Sequence, residues 1–233
     1  MKKQLLEYSY QNKLSHIPSA LSMLDYVDVL FTGKFIAKED KIVIGKPFGA
    51  QAYYLVWQKN GWLTDPTTLS VGVKHDEIDF VDYSEETMGN ALGVAAGMAY
   101  TTPRMVWVNL SDASLQMGNT LEALQFVGHN KLKNILVTVD YNNAQVTGNV
   151  DEILSVTPIV SMCRDYGWRV QEVDGHDYDA IAHAYVNIDE SVPNIIFFKT
   201  QKGHGVPQMV DDIKKWHYKK IDSETELKEL LNE

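Results

Sequence analysis

The sequence predicts an α/β fold, a mostly parallel sheet with helices on both faces. Three observations carry this prediction. Short apolar runs recur near residues 42, 80, 106, 136, 170 and 196, separated by segments whose apolar residues fall at helical spacing. One run, Asn194 to Thr200 (NIIFFKT), is apolar almost throughout, the signature of a strand buried on both faces. Polar residues follow several runs, at Asp112, Asn142 and Lys202, where open parallel sheets place their ligands.

Lys2 to Tyr10 reads as a helix, broken by Ser15-His16-Ile17-Pro18-Ser19. A second helix is expected from about Ser19 to Phe31, with Ala20, Leu21, Leu24, Val27 and Leu30 at helical spacing. Asp40 to Lys46 is a short strand entering a turn, Ala52 to Asn60 a helix stopped at Gly61, and Thr64 to Val81 a loop. Leu92 to Tyr100 is a small-residue helix. Gly89, Gly93 and Gly97 share one of its faces, where missing side chains admit either another helix or a cofactor. Val106 to Leu110 and Asn134 to Val139 are strands flanking a helix, and Val150 to Tyr166 is a helix with an irregular start near Thr157-Pro158. Tyr178 to Val186 is a helix capped by Asp177, and Ser223 to Leu231 opens with a Ser-x-x-Glu capping box.

The 233 residues suffice for one substantial core and are read as a single domain over 1–233, with two small domains as the alternative. A composition of 45% hydrophobic and 22% charged residues is that of a folded protein. The net charge of −10 argues against a nucleic-acid or anionic-membrane partner, although a local basic group can still hold a phosphate. The single cysteine, Cys163, excludes an intramolecular disulfide and a CxxC site, so a reducing, cytoplasmic location is expected. MKKQLLEYSYQNKLSH has no long apolar core, so neither a signal peptide nor a membrane span is expected.

The stretch from Ser111 to Gly148 carries the clearest chemistry. Asp112 and Asn142 end successive strands of one strand-turn-helix-strand unit and can converge on one ion. A carboxylate, an amide oxygen and a nearby backbone carbonyl suit Mg²⁺ or Ca²⁺, hard cations that sit beside phosphates.

This stretch resembles the metal and diphosphate motif of thiamine diphosphate enzymes, most closely that of transketolases. The family's GDG, LQEG and later Asn correspond to Ser111-Asp112-Ala113, Leu115-Gln116-Met117-Gly118 and Asn142, with Glu122 in the intervening helix. Other landmarks keep their order. His16 stands in a GHxGxSLS-like segment, Gly45-Lys46-Pro47-Phe48 resembles SKGHA, and Lys74-His75-Asp76-Glu77 resembles GHPE. Ser84 to Gly93 is similar to TGxLGQGLG, and Gly167 to Asp177 to GWxVxEVDGHD. Lys202 to Val206 is similar to KGxGV, and Trp216-His217 to the family's WH pair.

The resemblance implies a thiamine diphosphate-binding (PP) fold. It implies thiamine diphosphate held through Mg²⁺ or Ca²⁺ by Asp112, the Asn142 side chain and the Ala144 carbonyl. Met88, Gly89, Ala113, Val146 and Lys202 join Asp112 and Asn142 as implied cofactor-binding residues. Met88 and Gly89 would line the aminopyrimidine, and Val146 would flank the cofactor rings. His16, His75 and His217 are the implied catalytic histidines, steering protons or binding phosphate; a locally packed or solvated histidine is the alternative at each. His176 is expected to be structural.

Several positions depart from the family pattern. Ser111 and Ala113 replace the glycines of GDG, Met117 the Glu of LQEG, Glu86 a Gly, and Phe48 a histidine. A phenyl ring can neither donate nor relay a proton. The implied function is the diphosphate- and metal-binding subunit of a split transketolase-like transferase, moving a two-carbon ketol unit between sugars or sugar phosphates. The family's activating Glu lies on a pyrimidine-binding domain that this chain does not match. A separate subunit carrying the pyrimidine-binding and C-terminal domains is therefore the expected partner, in a heterotetramer of two copies of each chain, with Glu122 near the interface. Alternatives are an acyloin synthase or ketose lyase of a specialised pathway, and a noncatalytic interaction subunit.

Overall fold

The apolar runs pair into one parallel sheet, with helices filling the intervals. In chain order the elements are α1 (Lys2–Gln11), α2 (Ile17–Thr32), β1 (Lys41–Ile44), α3 (Ala50–Lys59), β2 (Tyr83–Ser84), α4 (Ala91–Thr101) and β3 (Val106–Ser111). A 3₁₀ turn (Asp112–Gln116), α5 (Gly118–Asn130), β4 (Ile135–Tyr141), β5 (Ala144–Gln145), β6 (Gly148–Asn149), α6 (Val150–Leu154) and α7 (Thr157–Asp165) follow. The chain ends with β7 (Arg169–Asp174), α8 (Tyr178–Val186), β8 (Asn194–Lys199), α9 (Pro207–Asp211), α10 (Ile213–Trp216) and α11 (Glu224–Leu231). This computed structural model describes residues 1–66 and 69–232; Thr67 and Thr68, inside the loop expected over 64–81, and Glu233 lie outside the described residues.

The six-stranded sheet has the order β2-β1-β3-β4-β8-β7, and every pairing in it is parallel. Successive side chains on a strand point to opposite faces. Trp107, Leu136, Ile196 and Phe198 accordingly join the core shared with Leu5, Leu24, Trp57, Ile181 and Leu227, from α1, α2, α3, α8 and α11. Their neighbours Val108, Val137, Ile195 and Phe197 join the opposite core with Ala95, Leu124 and Cys163, from α4, α5 and α7.

From β1 the chain moves outward to β2, and from β3 it moves the other way to β4. The strand order therefore reverses between β1 and β3, and such a switch point opens a crevice at the carboxyl ends.

Three local features differ from the expected pattern. The strand expected near residue 80 is limited to Tyr83–Ser84, because the Asp82 carboxylate, at 2.9 Å, takes the Ile42 N–H at the start of β1. The helix expected over 150–166 divides into α6 and α7; Pro158 sits in the first turn of α7 and has no N–H to bond back to Leu154, so one helix cannot run through from α6. An antiparallel hairpin, β5-β6, which the sequence did not suggest, presents Ala144, and the Asn143 side chain accepts the Asp151 N–H at its base at 2.9 Å. Among the described residues no helix is long and apolar enough to cross a membrane.

Both expected caps form. Ser223 Oγ accepts the Glu226 N–H at 3.1 Å, while the Glu226 carboxylate reaches Asp222 N rather than the cap residue's own amide, at 2.8 Å. Asp177 Oδ1 accepts the N–H groups of Asp179 and Ala180 at 3.0 and 3.1 Å. Asp177→Ala should therefore cost about 1 kcal/mol, read as a lower urea midpoint at unchanged slope, and Asp177→Asn should retain most of it.

Candidate functional site

A cavity of about 380 Å³ opens at the crevice between β1 and β3. Gly45 to Phe48 enter it after β1, Ser111 to Ala113 at the end of β3, Asn142 after β4, Ala144 and Val146 from the hairpin, and Lys202 after β8. His16, immediately before α2, and His217 with Tyr218, after α10, close its mouth.

The region just beneath the cavity is organised by Asp140, which is fully buried. Its carboxylate takes the Ser22 hydroxyl at 2.6 Å, the Thr200 hydroxyl, the Lys46 ammonium and, at 2.7 Å, the Asn142 amide nitrogen. Burial alone would raise the Asp140 carboxyl, but the Lys46 ammonium holds it below the usual carboxylate range. A carboxylate only accepts, so the Asn142 amide must turn its nitrogen toward Asp140 and its oxygen away. That oxygen accepts the Ala144 N–H at 3.0 Å.

Asp112 is 1% exposed, with its two oxygens accepting the Ala113 and Asn143 N–H groups at 2.8 and 2.7 Å. Burial first, and the charge of Asp140 second, push its carboxyl up to about 7, against the pull of those amides and of Lys46. An under-compensated carboxylate beside an amide oxygen and a backbone carbonyl is a hard-cation donor set, so these residues fit Mg²⁺ or Ca²⁺. Lys202, 3% exposed, donates to the Ala144 carbonyl at 3.3 Å and to His217 Nδ1 at 3.2 Å. Its pKa is lowered to about 8 by burial and then by Lys46.

The replaced glycines sit on ordinary backbone, since neither Ser111 nor Ala113 has a positive φ. Ser111 Oγ accepts the Ser114 N–H at 3.2 Å, capping the 3₁₀ turn. The same hydroxyl donates to Met88 Sδ at 3.5 Å, across the cavity wall. Gly89 differs: it is buried with φ +127°, its N–H is held by Glu85 at 3.1 Å, and a Cβ would stand 3.2 Å from Met117 Cβ. It lines the groove between α4 and α5 rather than this cavity, whereas Met88 and Val146, 40% and 51% exposed, line the cavity.

His16 adopts φ +58°, and its ring stacks on Phe48 at 4.9 Å and meets His217 and Tyr218 edge-on at 5.0 and 5.3 Å. Burial lowers His16 to about 4, helped by Lys202 and Lys46, and burial lowers His217 to about 4, helped by Lys202 and His16. Both rings are therefore neutral at pH 7. His75 is elsewhere: exposed, hydrogen-bonded to Ser84 Oγ at 3.2 Å and stacked on Tyr83. Glu122 is exposed in a groove between α4 and α5, beside Gly93 and Gly97, and Glu86 lines the cavity.

The Lys46–Asp140 pair and Tyr218 were not singled out by sequence. The available signal was a charged residue, Asp140, closing an otherwise apolar strand.

Lys46→Met should destabilise the fold by about 3–5 kcal/mol in chemical denaturation, because it leaves a buried carboxylate uncompensated. Histidine ring NMR should place the His16 and His217 midpoints near pH 4. Between that value and about 6.5, the unfolded chain binds the extra protons, so through these two groups stability should fall as pH drops across the window.

A profile described as the transketolase thiamine diphosphate binding domain matches residues 94–228, more than half of the chain. Transketolase-like protein 2 of Bos taurus is 31% identical over 234 residues, covering 90% of this chain and 37% of that protein. A protein of Phocaeicola vulgatus named as one subunit of apulose-4-phosphate transketolase is 26% identical over 240 residues, covering 93% of this chain and 85% of that one. The transketolase of Campylobacter jejuni superposes with a TM-score of 0.66 at 17% identity, over 88% of this chain and 39% of that chain, a likeness of fold. This chain thus spans little more than a third of Bos taurus transketolase-like protein 2, but most of the Phocaeicola vulgatus protein. It belongs to the transketolase family, in which it corresponds to the thiamine diphosphate binding domain.

Proposed function

We propose that this chain is the diphosphate- and metal-binding subunit of a split transketolase-like enzyme that transfers a two-carbon ketol unit between sugars or sugar phosphates. The observation that carries the proposal is the convergence of Asp112, Asn142, the Ala144 carbonyl and Lys202 at the carboxyl ends of adjacent strands. A relative of similar extent that is itself named as one subunit of a transketolase supports the split arrangement.

In this reading Asp112, Asn142 and the Ala144 carbonyl hold Mg²⁺ or Ca²⁺, and Lys202 meets the diphosphate. Met88 and Val146 cover the cofactor rings, and Ala113 lies against the diphosphate. When bound, thiamine diphosphate supplies the carbanion stabilisation that ketol transfer needs. The neutral rings of His16 and His217 present ring nitrogens to the substrate oxygens. His217 Nδ1 accepts from Lys202, so its Nε2 carries the hydrogen. The proposal keeps these two histidines in the catalytic set and leaves out His75, which faces solvent. A separate pyrimidine-domain subunit, in a heterotetramer, would supply the activating Glu and the rest of the pocket.

One observation favours a second reading. Phe48 stacks on His16 where a proton-relaying ring is usual, which suits an acyloin synthase or ketose lyase with a less hydroxylated substrate.

Calorimetric titration with thiamine diphosphate and Mg²⁺, on the chain alone and with its pyrimidine-domain partner, tests both readings. Binding is expected in the complex, and Asp112→Ala should abolish it while leaving the circular dichroism unchanged. No binding even in the complex would leave a noncatalytic interaction subunit. Product from a ketose phosphate donor supports ketol transfer; turnover restricted to nonphosphorylated or 2-oxo acid donors supports the second reading.

A further inference from the structure

Outside the cavity, three side chains from separate elements converge: Asp25 of α2, His176 between β7 and α8, and His204 after β8. Their ligating atoms lie within 4.8 Å of one another, a spacing that would serve a transition metal. The hydrogen bonds argue against that use. His176 Nε2 accepts the Gln201 N–H at 2.8 Å, so the ring proton sits on Nδ1 and is donated to Asp25 Oδ2, also at 2.8 Å. Both nitrogens are engaged. The His176 and His204 rings lie face to face, centroids 3.5 Å and planes 8° apart. An ion between two parallel rings would lie outside the plane of both lone pairs.

These contacts instead grip one turn at its two ends. Gln201, held by its amide, precedes Lys202, and His204, held by its ring, follows it by two residues. Between them the Gly203 N–H reaches the Pro18 carbonyl at 3.0 Å, and the His204 N–H closes the turn on the Gln201 carbonyl at 3.0 Å. Gly203 has φ +82°, and a Cβ there would stand 3.0 Å from Met209 Cβ, so the turn as built admits only glycine at this position. Asp25 is itself held, accepting the Tyr178 hydroxyl at 3.2 Å on its other oxygen. A lysine side chain loses rotamer entropy when its ammonium is seated in a cavity, and a fixed backbone beneath it lowers that cost.

We propose that Asp25 and His176 are a positioning pair that clamps the 201–204 turn from outside the cavity and thereby keeps the Lys202 ammonium at the Ala144 carbonyl and His217. The seating of Lys202 is a property of this chain; its consequence for a diphosphate rests on the function proposed above.

Amine acylation of the chain without cofactor, mapped by mass spectrometry, tests the clamp. Lys202 and Lys46 are both buried, and both should react slowly in the unaltered protein. In His176→Ala, which loses a hydrogen bond and a ring stack, Lys202 should react about tenfold faster, and Asp25→Ala, which releases the His176 ring from its anchor, should raise it in the same direction, while Lys46 stays protected in both. His176→Gln, which restores an acceptor for Gln201 without the stack, should fall between. Unchanged Lys202 protection in both alanine variants would overturn the proposal. So would equal exposure of Lys46, which indicates general loosening. A rise in melting temperature with Zn²⁺ that His204→Ala removes would overturn it too, by showing a metal site. Because labelling needs no cofactor or partner, its failure leaves the proposed function standing, and failure of cofactor binding leaves the clamp standing.

Discussion

The site depends on one buried carboxylate. Asp140 has no contact with water, and an ion in that position costs several kcal/mol unless it is fully compensated. Its compensation comes from Ser22 on α2, Lys46 after β1, Thr200 after β8 and Asn142 after β4. Four segments distant in sequence must therefore meet at one point before the charge is tolerated. Their meeting point lies just beneath the cavity, which Lys46 and Asn142 line, and the same contacts aim the Asn142 oxygen.

The groups above that point are pushed toward neutrality by burial. Asp112 is raised, Lys202 is lowered, and His16 and His217 are held uncharged. Each group thus carries less charge in the pocket than it would in water. At the mouth, His16, Phe48, His217 and Tyr218 form an aromatic wall. Phe48 there supplies a stacking surface without hydrogen-bonding capacity.

Much of the architecture was legible because it rests on local rules. The apolar run of β8 announced a strand covered on both sides, and Asp177 announced the start of α8, since burial period and free N–H groups act within a few residues. The hairpin carrying Ala144 was not legible, because its two-residue strands leave no periodic pattern. The split between α6 and α7 follows from Pro158, a signal present in the sequence but weaker than the helical spacing around it. Ser111 and Ala113 looked like obstacles while the motif alone was in view; the backbone shows angles open to any residue, with the Ser111 hydroxyl turned into its own cap.

By itself the sequence determined the fold class and the polar residues that end its strands, because periodicity and strand-end polarity are local properties of the chain. Only the tertiary structure decided which groups meet. It placed His16 and His217 in one cavity and His75 in solvent, paired Lys46 with Asp140, and set His176 behind Lys202. Those outcomes are set by contacts between segments up to 178 residues apart, as in the Ser22–Thr200 bond beneath the cavity. No local pattern encodes such pairings; they arise when buried polar groups must all find partners at once.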